Sequence, residues 1–299
     1  MAARKTNLSA VRGVLRENEP MAQHTSWRAG GHAERWFKPA DRDDLVAFLA
    51  ALPPDEPLYW VGLGSNLLVR DGGLAGTVIA THGALSNIEH DDRGRVRAEA
   101  GIACARLARQ CVNWQLAGGD FFAGIPGTVG GALAMNAGAF GGETWERVEA
   151  VETIDRSGTI RERQADEFKV GYRSVRTPAE EWFIAGRFRF SPDPGMSRER
   201  VKTLLARRNA TQPVAAASCG SVFRNPPGDH SARLIEAAGL KGRRVGGAVV
   251  SEKHANFILN DQGASAADIE TLLLAVQAEV KSQFGVELMP EVRIVGERA

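Results

Sequence analysis

Apolar positions along the chain fall into two rhythms. Leu45, Phe48, Leu49 and Leu52 recur at helical spacing, after Asp41 and before Pro53-Pro54, which predicts a helix with both ends marked. Leu58–Val61 is a short strand running straight into Gly62-Leu63-Gly64-Ser65-Asn66. Leu67–Val69 and residues 76–81 are further strands about the turn Asp71-Gly72-Gly73. Residues 103–116 read as a helix with Leu107, Cys111 and Trp114 on one face. Residues 148–154 and 159–163 read as strands about Asp155-Arg156-Ser157-Gly158. From 182 to 190 the pattern alternates: Trp182, Ile184, Phe188 and Phe190 face one way, Arg187 and Arg189 the other, as in a half-buried strand. A helix near 197–210 follows the linker Ser191-Pro192-Asp193-Pro194-Gly195. Ser265-Ala266-Ala267-Asp268 is a capping box, opening a helix with the stripe Ile269, Leu272, Leu273, Val276, Val280 and Phe284 and a stop at Gly285. Residues 1–25 read as a short lead-in helix and loop. The linker divides the chain into a first domain, 1–195, and a second, 196–299, with longer helices and fewer glycines.

Composition narrows the class. The chain has 299 residues, 37 Lys and Arg against 36 Asp and Glu, and a net charge of +1, which speaks against a nucleic-acid or membrane-surface protein. No apolar run reaches the roughly 20 residues of a membrane helix, and residues 1–13 have no apolar core after their basic residues. Three cysteines, Cys104, Cys111 and Cys219, with no CxxC or zinc spacing, suit a reducing, cytoplasmic compartment and no metal site.

The 33 glycines exceed the usual roughly 7%, and they gather between Gly62 and Gly142. In Gly62-Leu63-Gly64-Ser65-Asn66 the glycines permit a tight turn, while main-chain N–H groups and the Ser65 hydroxyl can donate to phosphate; an ordinary turn between strands is the alternative. Gly124-Ile125-Pro126-Gly127-Thr128-Val129-Gly130-Gly131 has GxxGxxGG spacing rather than the dinucleotide GxGxxG. It suits a loop pressed against a flat cofactor and its pyrophosphate.

These pieces, followed by Ala132-Leu133-Ala134-Met135-Asn136-Ala137-Gly138-Ala139, Gly171-Tyr172-Arg173-Ser174, Ser218-Cys219-Gly220-Ser221-Val222-Phe223-Arg224-Asn225-Pro226, Lys253-His254-Ala255-Asn256-Phe257 and Pro290-Glu291-Val292-Arg293, stand in one order over about residues 20–297. In that order they resemble the MurB family, in its compact second type. The resemblance implies an α+β fold: a two-lobed FAD-binding domain of the vanillyl-alcohol-oxidase (PCMH) type, split near residue 90, and a smaller C-terminal α/β substrate domain. It implies non-covalent FAD, NADPH as hydride donor, and a UDP-sugar enolpyruvyl ether as substrate, with no nucleic acid, membrane or obligate protein partner.

By position, the resemblance makes Arg173 and Glu291 the groups that stabilise charge developing on the enolpyruvyl carboxylate, and Ser221 the proton donor. Arg28, Gly30, Gly62, Gly64, Ser65, Asn66, Gly124, Gly127, Thr128, Gly130, Gly131, Asn136 and Gly138 become the cofactor set. Tyr172, Asn225, Lys253 and His254 become the substrate set. Each has a plainer reading: Ser221 as a turn serine, Arg173 as a surface cation, Glu291 as a solvated strand residue, and Lys253, His254 and Asn256 as core edge. Gly30-Gly31-His32 matches the triplet that some related oxidases use to attach flavin, but it lies about thirty residues ahead of the phosphate loop, which has no histidine. An oxidase of the same fold, or a flavin-binding module without catalysis, are the rival readings.

Overall fold

The computed structural model describes residues 11–299. The chain forms two compact units. One comprises residues 11–17 with Arg35–Leu63 and Gly76–Leu205; the other comprises Asn18–Glu34, Gly64–Ala75 and Ala206–Ala299.

The first unit holds a five-stranded antiparallel sheet in the order Ile160–Gln164, Val148–Asp155, Glu181–Arg189, Arg95–Glu99, Ile88–His90. Helices Cys104–Asn113 and Val129–Met135 cover one face, and Leu107, Cys111, Leu133, Val151 and Phe188 join a single core there. The other face is apolar where Ile154 and Ile184 join a second core and charged around Glu152. Buried Glu152 accepts from Arg97 (Nε 2.6 Å, Nη2 2.9 Å) and from Arg42 (2.7 Å), and these arginines hold its carboxyl below the ordinary range. A smaller sheet runs in the order Val14–Pro20, His32–Lys38, Leu74–Ala80, Leu58–Val61, its last two strands parallel. Helix Arg42–Ala51, capped by the Asp41 carboxylate on the Asp44 N–H, packs Leu45, Phe48 and Leu49 against Phe37 and Ile79.

In the second unit, helix Ala266–Phe284 lies on the antiparallel strands Arg244–Val245, Ala248–Val250 and Ile258–Asn260. Ser265 and Asp268 form the reciprocal box, and Gly285 ends the helix in the left-handed region at φ 70°. Asp71 adds a second cap, its two carboxylate oxygens accepting from the N–H groups of Ala266 (2.9 Å) and Ala267 (2.8 Å). Arg70 makes a bidentate pair with Glu270, at 2.9 and 3.0 Å. Arg293–Val295 pairs in parallel with Leu67–Val69.

Two expectations change. Residues 14–20 form a strand rather than a lead-in helix, because sheet pairing supplies the main-chain hydrogen bonds and overrides local preference; residues 1–10 lie outside the described residues. Strand Glu181–Arg189 alternates only from Arg187 onward. Before that it is buried on both faces, with the Phe183 ring 6.0 Å from Trp145 and 5.7 Å from Phe168. Beyond the linker the expected longer helices are present, Arg198–Thr211 with 14 residues and Ala266–Phe284 with 19. Among the described residues no helix is long and apolar enough to cross a membrane, and no three His, Cys, Asp or Glu residues gather as a metal site.

Candidate active site

In the first unit Gly62, which opens the first glycine-rich motif, meets Thr128 of the second motif. A Cβ on Gly62 would run into the Thr128 hydroxyl, so the loops touch only because residue 62 has no side chain. Thr128 caps helix Val129–Met135 by accepting from Gly131 N–H at 3.4 Å. Val129 N–H donates to the Ile102 carbonyl (2.8 Å) and Gly130 N–H to Ala100 (2.9 Å), where a Cβ on residue 130 would crowd Ala100. Gly127 offers its carbonyl to Cys104 N–H at 2.9 Å, and Gly124 lies against Ala139 and Phe140. Thus the first-turn amides of this helix bond within the protein. The side left open is that of exposed Gly131, where a Cβ would meet only Thr128 Oγ1, at 3.8 Å. Small residues, a hydroxyl and close main chain fit a flat dinucleotide cofactor.

Asn136 ends the same helix in the left-handed region (φ 48°) and is buried. Its Nδ2 donates to Glu143 (2.8 Å) and to the Gly171 carbonyl (3.3 Å), and its Oδ1 accepts from Trp145 N–H (3.0 Å). The side chain expected to meet the cofactor is therefore committed to the protein. Its carbonyl and that of Gly138 accept from the Arg173 guanidinium, both at 3.2 Å. Arg173 (φ 51°) sits with Tyr172 in the turn between strands Lys169–Gly171 and Ser174–Arg176, its guanidinium 5.2 Å from the centre of the exposed Tyr172 ring. The glycine-rich loop thereby aims the arginine.

The second unit brings Ser221 and Glu291 onto adjoining main-chain rungs. Glu291 N–H donates to the Val222 carbonyl (2.8 Å), Arg224 N–H to Met289 (2.9 Å), and Phe223 bridges Pro290. On the other side, Val222 N–H donates to the Asn256 carbonyl (2.9 Å). The Asn256 side chain accepts from Phe223 N–H (3.0 Å) and donates to its carbonyl (2.8 Å). Asn66 donates its side-chain amide to the Glu291 carbonyl (3.1 Å) and accepts Arg293 N–H on its own carbonyl (3.0 Å). Gly64 (φ 61°) leaves no space for a Cβ beside the His24 carbonyl. Its own carbonyl accepts from Ser26 N–H and, at 3.5 Å, from the Cys219 thiol, which burial pushes up to about 12. Gly30 is pressed against Val69, while Arg28 (φ 56°) is exposed and Ser65 half-buried.

The substrate set divides. Asn225 accepts Ser231 N–H at 3.1 Å, Lys253 donates to the Asn209 carbonyl at 2.5 Å, and His254 stands edge-on to Phe257, its buried Nδ1 without a hydrogen-bond partner. Desolvation holds the His254 pKa down. Two residues the motifs understate are Asn256, read from sequence as core edge, and Glu143, which shares Asn136 and lies 3.9 Å from Arg173. The signal for Asn256 is an amide between Ala255 and Phe257 in a buried run, where it must find main-chain partners.

Two family models match the chain: an FAD binding domain over residues 33–163 and a UDP-N-acetylenolpyruvoylglucosamine reductase C-terminal domain over 212–295. Among curated proteins, the UDP-N-acetylenolpyruvoylglucosamine reductase of Alkalilimnicola ehrlichii is 63% identical over 286 residues, 95% of this chain and 96% of the relative. That of Methylococcus capsulatus is 60% identical, over 96% and 94%. The crystal structure of the MurB reductase from Thermus caldophilus superposes with a TM-score of 0.79 at 30% identity, over 95% of this chain and 98% of that one.

Proposed function

The chain belongs to the UDP-N-acetylenolpyruvoylglucosamine reductase family, and from that premise we propose which of its residues perform the family's reaction. It is an FAD-dependent oxidoreductase of peptidoglycan synthesis that converts UDP-N-acetylenolpyruvoylglucosamine to UDP-N-acetylmuramate with NADPH as donor. FAD, when bound, carries the hydride from NADPH to the enolpyruvyl double bond. Gly62, Gly64, Ser65, Gly127, Thr128, Gly130 and Gly131 would line it, with the Ser65 and Thr128 hydroxyls available as donors and the glycines letting main chain come close, while Arg28, Gly30, Asn66, Gly124, Asn136 and Gly138 shape the loops.

Hydride addition to the terminal carbon pushes charge onto the carboxylate and leaves the neighbouring carbon in need of a proton. Arg173, held by two carbonyls of the glycine-rich loop, supplies the compensating cation. Ser221 donates the proton, a task a weak acid can perform because the receiving carbon is strongly basic. Glu291 is the second group assigned to the carboxylate end of the enolpyruvyl moiety. Tyr172, Asn225, Lys253 and His254 line the path of the UDP-sugar. The observation that carries this reading is the hydrogen-bonded rung from Glu291 N–H to the Val222 carbonyl, which sets the acid beside the serine's own segment. The matched stretches support assigning FAD binding to residues 1–195 and substrate binding to 196–299, with a small-molecule substrate; a cytoplasmic location is part of the same proposal.

The two half-reactions test it. Ser221→Ala is expected to keep FAD and its reduction by NADPH, while reoxidation by the enolpyruvyl substrate slows about 10²–10⁴-fold, the range for losing a positioned general acid. Rapid mixing that follows flavin absorbance reads each step. Reoxidation at the wild-type rate in Ser221→Ala removes Ser221 from the mechanism.

A further inference from the structure

We propose that Asn256 is a positioning residue for the protonation step: its amide fixes the Val222–Phe223 main chain, to which both Ser221 and Glu291 are tied. The proposal rests on Ser221 being the proton donor. Three polar main-chain groups of this dipeptide end on one residue, with Val222 N–H on the Asn256 carbonyl at 2.9 Å, Phe223 N–H on Oδ1 at 3.0 Å and the Phe223 carbonyl on Nδ2 at 2.8 Å. The remaining carbonyl, that of Val222, accepts Glu291 N–H at 2.8 Å. The dipeptide is thus a rung clamped from two sides, and its two catalytic neighbours are reached through it, Ser221 by one peptide bond and Glu291 by one hydrogen bond.

Before the serine, buried Cys219 is anchored through its thiol on the Gly64 and Leu67 carbonyls, but Gly220 intervenes in the left-handed region at φ 72°, with no atom within 4 Å of where a Cβ would stand. The nearest restraint bonded directly to Ser221 is the rung that follows. Asn256 is 4% exposed, so water cannot replace its bonds. Only a short side chain carrying a donor and an acceptor on one planar group can satisfy both main-chain groups of Phe223 at once. Aspartate has the same shape but brings no N–H and sets a second oxygen against the Phe223 carbonyl. Serine offers one hydroxyl in place of two groups.

The experiment uses the FAD-loaded enzyme and compares Asn256→Asp and Asn256→Ser with Ser221→Ala. Each is reduced by NADPH and reoxidised by the enolpyruvyl substrate, and substrate affinity is read from the perturbation of the flavin spectrum. Asn256→Asp is expected to bind FAD and substrate and to be reduced as the wild type is. Reoxidation at saturating substrate is expected to slow about 10–100-fold, the cost of a displacement of order 1 Å at the donor. Asn256→Ser is expected to fall between the two. Equal slowing of both half-reactions, or loss of the fold in both variants, overturns the proposal, because the amide then serves structure generally. Wild-type reoxidation in a folded Asn256 variant alongside a slow Ser221→Ala overturns the proposal and leaves the donor assignment standing. Wild-type reoxidation in Ser221→Ala overturns both.

Discussion

Single atoms decide whether the two glycine-rich loops can meet. With any side chain at residue 62, Thr128 must give way, and Thr128 also caps helix Val129–Met135. Forcing extra methyl groups into such a contact costs about 1–3 kcal/mol, or about 5–150-fold in affinity when the displaced loop holds a ligand. Gly62→Val is therefore expected to fold but to lose FAD affinity in that range, measured by titrating FAD into the apoprotein. Gly131→Ala is a finer probe. Its Cβ meets only Thr128 Oγ1, at 3.8 Å, so the protein's own packing is undisturbed. A fall in FAD affinity in Gly131→Ala, with melting temperature unchanged or raised, is the expected sign that this open side faces the cofactor. Unchanged affinity in both variants would remove these loops from the binding site.

Elements that carry their own punctuation are legible from sequence. Helix Ala266–Phe284 announces both ends, through Ser265 with Asp268 and through Gly285, and strands Leu58–Val61 and Leu67–Val69 fall where their apolar runs predict. Strand Val14–Pro20 is hidden because, apart from Glu19 and Pro20, its side chains are exposed and its partner strand, not its own pattern, fixes its conformation. The site reads in the same uneven way. Arg173, Ser221 and Glu291 emerge from the order of motifs, whereas Asn136 and Asn256 act on main chain up to 35 residues away, and no periodicity encodes such a bond. Asn136 ends one element and ties it to the turn bearing Arg173, so its loss should be felt along the element. Asn136→Ala is expected to destabilise by about 2–4 kcal/mol, through buried partners left unsatisfied and a left-handed residue without Asn's tolerance for it. Asn136→Gly restores only the backbone part, about 1 kcal/mol. Denaturant unfolding of both variants separates the two contributions, and equal stability would show that backbone conformation contributes nothing.

Across the whole molecule, several carboxylates act together when pH changes. Glu152, Glu181 and Glu270 are each held below their ordinary value of 4.5, first by hydrogen bonds from Arg97, Arg163 and Arg70 respectively. A depressed folded-state pKa contributes stability that is complete above the unfolded value and is lost as pH falls through the folded one. The protein should therefore lose stability progressively below about pH 4.5. Glu152→Gln should melt below the wild type at pH 7, with the difference narrowing as the pH falls under 4.5, which thermal melts at stepped pH will show. A constant difference would mean that packing, not charge, is what the carboxylate provides. The pairing of Leu67–Val69 with Arg293–Val295 has a different consequence, one that belongs to the birth of the chain. On the ribosome these strands are separated by 293 − 67 = 226 residues of synthesis. At about 5–20 residues per second, roughly 11–45 seconds pass before the later strand exists. Through that interval Leu68 and Val69, destined to be wholly buried, wait as an apolar strand edge open to any neighbouring nascent chain, and the newborn protein depends on whatever shields it until its own C-terminus arrives.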